Sequence, residues 1–268
     1  MPNLLSLAPL TINEAGPLEL IDAAAAGRFD AVSLRVVGAP GIERVPPITA
    51  ADTDAIRRHL AATGIRVFSA TGIWLTPDFA LRDAEPALAI AADLGAVYCL
   101  ATGADDDWPR LVTNFAALCQ AGARVGLGIA VEFMPYLPVR SVADATRLLD
   151  GAAQPNGGII VDALHLARSG GTPADVAAAD PARIAYVQLC DAPRVRPATM
   201  ERREESLRNR LYPGDGELPL FALMDALPPD IAIDIEVPCA ADAHLPFAER
   251  ARRAGDATRR FLTAYRAR

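Results

Sequence analysis

The chain has 268 residues, 51% of them hydrophobic and 22% charged, with a formal net charge of −7 and a pI of about 5.0. That size and apolar content support a large core, arranged as one large α/β domain or two small ones. The acidic balance argues against duplex nucleic acid and membrane surfaces as partners, since both call for a basic face, and the absence of any Lys excludes Schiff-base and P-loop lysine chemistry.

Short apolar, often β-branched runs recur along the chain: 4–10, 31–37, 66–74, 96–103, 128–135, 157–164, 184–191 and 231–238. Between them lie stretches with apolar spacing near 3.6, such as LELIDAAAAGRF, ADTDAIRRHLAATG, AEPALAIAADLG and WPRLVTNFAALCQAGARV. Asp107, Ser141 and Thr172 stand where helix N-caps belong, and Gly64, Gly95 and Gly126 where helices close before the next strand. Strand–helix alternation over the whole length predicts parallel strands joined by crossover helices. Eight such units in this length predict a single-domain (β/α)8 barrel spanning 1–268. A doubly wound open sheet is the alternative, but APLTINEAGP after the first strand carries no GxGxxG turn.

Cys99, Cys119, Cys190 and Cys239 lie far apart with no CxxC pair, which suits free thiols rather than a disulfide framework or zinc knuckle. MPNLLSLAPL lacks the basic and long apolar regions of a signal peptide, and no apolar run approaches the roughly 20 residues that span a bilayer. The expectation is a cytoplasmic protein.

Four of the runs carry a polar residue near the C-terminal end: Glu132 in the fifth, Asp162 in the sixth, Gln188 in the seventh and Glu236 in the eighth. Each has an ordinary explanation. A strand-end Asp often caps the next helix, and a buried Gln is often a satisfied core amide. Together they aim three carboxylates and one carboxamide at the end of the barrel that holds active sites. Three carboxylates repel one another in a dry site unless a cation compensates them. The oxygen donors suit Mn²⁺ or Mg²⁺, with Co²⁺ or Zn²⁺ as less natural occupants. Glu132, Asp162, Gln188 and Glu236 are therefore the expected metal ligands.

The segments VEF around Glu132, VDALH (161–165), YVQLCDAP (186–193), PGDGELPL (213–220) and IEVP (235–238) resemble those of the xylose isomerase-like TIM barrels, a family of sugar phosphate isomerases and epimerases. The resemblance covers nearly the whole chain and implies the same four metal ligands. It also implies that His165 contacts substrate oxygen and that Arg194 matches the substrate-binding arginine of some ketose epimerases. Gln188, where many members have His, is similar to the hydroxypyruvate isomerase and 3-dehydroshikimate dehydratase branches.

The implied chemistry is removal of a C–H proton beside a carbonyl, with a divalent ion stabilising the enediolate and Glu132 or Glu236 as the proton carrier. Return of the proton to the adjacent carbon isomerises, return to the opposite face epimerises, and loss of a β-hydroxyl dehydrates. The ligand set does not choose among them. The leading expectation is an isomerase or epimerase of a small polyhydroxy carbonyl compound, with a 3-dehydroshikimate dehydratase-type lyase as the alternative. AP endonucleases share this barrel, but their three-metal site needs more histidines than the three present. A barrel that only binds ligand sits poorly with an intact ligand set and His165.

The insert PRVRPATMERREESLRNRLYPGDGEL (193–218) is rich in Arg, which suits an anionic substrate. Arg194 and Arg210 are its candidate substrate contacts, and its other arginines read as solvated surface, with Glu204 and Arg208 spaced as an ordinary surface pair. Arg35, charged near the top of the second strand, either contacts substrate or balances the acidic centre. Trp74 is placed to wall the pocket, Trp108 to pack at the edge. Asp234 is expected one layer below Glu236, His244 after the last strand, and His59 on a helix surface. Asp105–Asp107 read as a solvated loop with a cap. Dimers or tetramers are common for such barrels, but no segment marks an interface.

Overall fold

The computed structural model describes residues 3–38 and 45–268. Eight parallel strands close into a barrel in chain order: β1 (Leu5–Leu7), β2 (Ala31–Arg35), β3 (Arg66–Leu75), β4 (Tyr98–Gly103), β5 (Gly128–Glu132), β6 (Gly157–Asp162), β7 (Ile184–Leu189) and β8 (Ile233–Ile235). β8 pairs back onto β1, so no sheet edge remains open. All eight runs read from the sequence become strands. β1 and β8 are shorter than their runs, and in β1 the reason is local: Pro9, without an N–H, opens a 3₁₀ turn over Pro9–Ile12.

The outer layer comprises α1 (Pro17–Ala26), α2 (Thr53–Thr63), α3 (Leu81–Asp93), α4 (Trp108–Arg124), α5 (Val142–Ala152), α6 (Ala163–Arg168), α7 (Pro173–Ala177), α8 (Arg202–Arg208), α9 (Leu220–Ala226) and α10 (Phe247–Arg266). The cap signals hold. Asp107 accepts the Arg110 amide at 3.1 Å, Ser141 accepts the Asp144 amide at 3.1 Å, and Thr172 forms a capping box with Asp175. Gly64, Gly95 and Gly126 take φ of 74°, 85° and 79°, left-handed values that let each helix turn into the next strand.

The main apolar core lies between strands and helices. A smaller one fills the lower interior of the barrel, where Ala31, Phe68, Leu100, Ala130, Ile160 and Tyr186 meet. Strand alternation places the functional layer above it. Two residues beyond Ala130, Ile160 and Tyr186, on the same inward face, stand Glu132, Asp162 and Gln188. The same step on β8 leads from Asp234 to Glu236. Register pairs Asp162 directly with Gln188, but Gln188 with Asp234, so Glu236 stands one inward-facing step further along. Among the described residues, no helix is long and apolar enough to cross a membrane.

Candidate active site at the C-terminal mouth of the barrel

Glu132, Asp162, Gln188 and Glu236 are all buried at the C-terminal end of the strands. Asp162 performs two tasks. Its Oδ1 caps α6 by accepting the His165 amide at 2.8 Å, and its Oδ2 meets Arg210 Nη1 at 2.5 Å. The capping explanation therefore holds for one oxygen, while the other faces the centre of the barrel mouth. Gln188 is not a satisfied core amide. Its Nε2 donates to Glu236 Oε1 at 3.2 Å, but its Oε1 is buried without a hydrogen-bond partner among the described residues. An orphaned buried carbonyl is costly, and it marks an acceptor aimed at something else.

Arg210 is the cation at this centre. It is 1% exposed and bridges two carboxylates, Asp162 Oδ2 through Nη1 and Glu236 Oε2 through Nη2 at 3.1 Å. Its Nε donates to the Ser206 carbonyl at 2.8 Å. All three guanidinium nitrogens are thus spent on protein. The sequence analysis placed Arg210 as a substrate contact; the structure makes it a clamp on two of the expected ligands. Asp191 explains how an irregular insert delivers it. Asp191 Oδ1 accepts the amides of Ala192 and Leu218, Oδ2 accepts that of Gly214, and its backbone pairs antiparallel with Leu211. The PGDGEL motif is the turn that wraps this carboxylate, and Leu211, fixed by it, adjoins Arg210. A side chain at Gly216 would fall 2.4 Å from Asp191 Oδ1, so the turn needs glycine there.

Glu132 has no such cation beside it. Its nearest basic partner is His165, whose Nε2 lies 3.8 Å from Glu132 Oε1. Glu132, Asp162 and His165 each present a donor atom, and these all lie within 4.8 Å of one another. Glu236 stands outside that group, drawn toward Arg210. Burial, reinforced by the charges of Glu236 and Asp162, pushes the Glu132 carboxyl well above the ordinary range. Burial also lifts Glu236 to about 7, against the opposing pull of Arg210. For Asp162 burial acts upward too, but Arg210, His165 and the α6 amide together hold it below its usual value. His165, desolvated, falls to about 4 and is neutral at pH 7.

Three carboxylates against one guanidinium leave a formal charge of −2, which a divalent cation would neutralise. The open acceptors on Glu132 and Gln188 face that need, and Arg210 acts as the outer-shell partner that orients Asp162 and Glu236. The residues fit a hard divalent ion, with His165 as a further donor.

The cavity above this floor measures about 100 Å³. Pro9, Leu10, Arg35, Trp74, Met134, Tyr136 and His165 line it, together with Arg203, Ser206 and Leu207 from α8. Arg35 and Trp74 are therefore where the sequence placed them. Arg194 is not: it is exposed, lies outside the cavity lining, and its amide donates to Glu217 at 3.1 Å. Arg203, expected as solvated surface, is exposed and also borders the cavity. Glu204 and Arg208 form no ion pair with each other among the described residues. Asp234 lies below Glu236 as expected, accepting Ser33 Oγ at 3.0 Å, with no Arg partner among the described residues; burial raises it to about 6. Trp108 packs under Arg147, with the guanidinium carbon 4.2 Å from the ring centroid. His244 is exposed and does not line the cavity, and His59 is half-buried against Asp22 at 2.7 Å. Asp105 is not solvated: it is buried and takes two bonds from Arg110, at 2.6 and 2.7 Å.

Residues 20–261 match the sequence profile described as Xylose isomerase-like TIM barrel. The chain belongs to that family. Among curated proteins, none matches the sequence. Among solved structures, an IOLI protein with a binding zinc atom is 16% identical with a TM-score of 0.79, over 97% of this chain and 98% of that one. The 3-keto-D-glucoside 4-epimerase YcjR of E. coli is 17% identical with a TM-score of 0.74, over 97% and 99%. The probable 3-DHS dehydratase AsbF of Bacillus anthracis is 12% identical with a TM-score of 0.72, over 98% and 99%. The chain spans 42% of a xylose isomerase-like TIM barrel/4-hydroxyphenylpyruvate dioxygenase fusion protein that it matches at 20% identity and a TM-score of 0.79. At these identities the likeness shows the fold.

The upward shifts at the floor carry a stability consequence. Up to about pH 6 for Asp234 and about pH 7 for Glu236 the folded protein holds protons that the unfolded chain has released, and the raised Glu132 acts in the same direction. That stability is present at low pH and lost as pH rises, at about 1.4 kcal/mol per pH unit for each proton. His165 opposes one of the three between about pH 4 and 6.5, because only the unfolded chain protonates it there. Metal-free protein is therefore expected to lose a few kcal/mol between pH 5 and 7.5 in urea unfolding with chelator present. Stability that rises over this interval would contradict the buried, uncompensated carboxylates.

Proposed function

We propose that this barrel is a divalent-metal-dependent isomerase or epimerase of a small polyhydroxy carbonyl compound, a sugar, sugar phosphate or sugar acid. The observation that supports it most is the unbalanced charge at the barrel floor, beside the orphaned Oε1 of Gln188. Glu132, Asp162, Gln188 and Glu236 would hold the ion, with Mn²⁺ or Mg²⁺ suited to the oxygen donors and Co²⁺ or Zn²⁺ admitted by His165. When bound, the ion acidifies the C–H between a carbonyl and a hydroxyl and stabilises the charge left when that proton departs.

The chain's own groups do the proton work. Glu132 is buried among like charges and holds a proton more tightly than an ordinary carboxyl, which suits it to take one from carbon. Glu236, whose carboxyl burial also raises, stands across the cavity floor as the partner for returning one. His165, neutral, donates a hydrogen bond from its protonated ring nitrogen to a substrate oxygen. Trp74, Met134 and Leu207 wall the cavity and limit water at the reacting carbon.

The test is NMR in D₂O of ketoses, hydroxypyruvate, inososes and 3-dehydroshikimate with Mg²⁺ or Mn²⁺, the latter chelated before recording. Deuterium entering beside a carbonyl, and blocked by EDTA, is the expected result. No exchange with any of them, together with no metal uptake by elemental analysis, would overturn the reading. A second reading, the dehydratase, is kept open by Gln188, which is similar to the 3-dehydroshikimate dehydratase branch as well as to the hydroxypyruvate isomerase branch; loss of a β-hydroxyl in the same spectra distinguishes it.

A further inference from the structure

The cavity has two chemical ends. Its floor is acidic, while its wall carries two further cations, Arg35 at the end of β2 and Arg203 on α8. Arg203, Ser206 and Leu207 share one face of α8 by their i, i+3, i+4 spacing and line the cavity together with Arg210, which lies two residues beyond the end of the helix. Every Arg210 guanidinium nitrogen has a protein acceptor. The Arg203 carbonyl accepts Ser206 Oγ at 3.0 Å, but the Arg203 guanidinium makes no hydrogen bond or ion pair among the described residues.

The direction of this face is fixed rather than incidental. On the neighbouring face of α8, Glu205 is buried and takes two bonds from Arg168, at 2.7 and 2.8 Å. Tyr136 Oη lies 3.1 Å from Ser206 Oγ and ties the helix to the chain after β5. With those latches in place, α8 presents Arg203 toward the cavity. Arg35 is held by Asn13 Oδ1 at 2.9 Å and adds positive potential that reaches Glu236.

We infer that Arg203 receives an anionic group of the substrate, a carboxylate or a phosphate, at the end of the molecule remote from the reacting carbons, with Arg35 adding to the local positive field. The inference rests on reading this cavity as the reaction site. A neutral sugar offers the Arg203 fork only uncharged oxygen acceptors, whereas either anion matches it in charge and in two-point geometry. An overall charge of −7 would repel such a substrate, and two arginines at the cavity supply the local attraction that brings it in. The size of the cavity agrees with a small molecule: at roughly 10–15 Å³ for each water-sized atom, it takes about seven to ten of them.

The test reads binding without turnover. Glycerate, glycerol 3-phosphate and neutral glycerol are titrated calorimetrically into wild type, Arg203→Gln, Arg203→Lys and, as a control for net charge, Arg208→Gln on the exposed side of α8. The anions are expected to bind and glycerol not to. Arg203→Gln should weaken anion binding by about 10- to 100-fold, the worth of a charged hydrogen-bonded pair. Arg203→Lys should recover part of the loss, and Arg208→Gln should change little. Tighter glycerate identifies a carboxylate, and tighter glycerol 3-phosphate a phosphate. Equal binding of glycerol and the anions, no anion binding, or anion binding indifferent to Arg203→Gln would each overturn the inference. Proton exchange on a neutral ketose that is indifferent to Arg203 would overturn it while sparing the proposed reaction. Anion binding in a protein that exchanges no protons would do the reverse.

Discussion

Glu132→Gln is expected to lower the rate of substrate proton exchange by about 10²–10⁴-fold, the usual worth of a positioned acid–base group. It is also expected to make the metal-free protein more stable. The two effects share a cause. Glu132 sits in a buried layer where its neighbours are Asp162 and Glu236, and among the described residues no guanidinium pairs with it, the Arg210 charge acting on it only at a distance. A charge held there without a partner is a standing cost, and a neutral amide of the same shape removes it. Replacement of poorly compensated buried charge is often stabilising by about 1–4 kcal/mol. Glu236→Gln should behave differently. It removes the same kind of proton carrier but also the partner of Arg210 Nη2 at 3.1 Å, so the gain in stability is offset. Urea unfolding at pH 7.5 with chelator, read beside exchange rates in D₂O, separates the two variants. A Glu132→Gln protein that exchanges protons at the wild-type rate would remove Glu132 from the reaction. One that loses stability would show that the carboxylate is compensated after all.

The parts of this site that the sequence reveals are those carried by strands. A strand imposes period two, so a polar residue near the end of an apolar run has its facing determined by its neighbours, and Glu132, Asp162, Gln188 and Glu236 could be aligned without coordinates. The insert has no such rule. Arg194 follows Gln188 at a spacing that resembles other family members, yet the chain there turns outward, held by Glu217 at the Arg194 amide and by Arg168 at the Pro193 and Arg194 carbonyls. Arg210 reaches the centre because Asp191 gathers three amides of the chain around it and pairs with Leu211, a long-range arrangement with no local periodicity. Arg203 was legible in principle, since its spacing to Ser206 and Leu207 is helical. What was missing was which face of that helix is buried, and that depends on Glu205 finding Arg168 on α6. Asp105 misled for a related reason: an acidic run reads as solvated, and nothing local says that Arg110 folds back over it.

Arg210→Met is expected to be the most disruptive single change at the site, costing about 3–5 kcal/mol, as removal of one partner from a buried ion pair does. Two carboxylates, Asp162 and Glu236, would then face each other across a space that Met fills without neutralising. The loss should depend on pH with a definite sign. Without Arg210 the Asp162 carboxyl loses the charge that holds it below its ordinary range, so its folded-state affinity for protons rises, as does that of Glu236. Groups raised in this way lend stability below their unfolded pKa and withdraw it as pH climbs, so the variant should be least stable above pH 7. A divalent ion should restore part of what is lost, since binding at 100 times its dissociation constant adds about 2.7 kcal/mol. Arg210→Lys should recover little, because one ammonium cannot fork between Asp162 Oδ2 and Glu236 Oε2 as the guanidinium does, and its aliphatic stem has no donor for the Ser206 carbonyl. Thermal unfolding of both variants at pH 5 and 8, with chelator and with Mg²⁺ or Mn²⁺, checks each step. A wild-type melting curve for Arg210→Met, flat with pH and indifferent to metal, would mean that the guanidinium holds neither carboxylate. Metal rescue of that variant alone would instead locate the ion between the same carboxylates that Arg210 now spans.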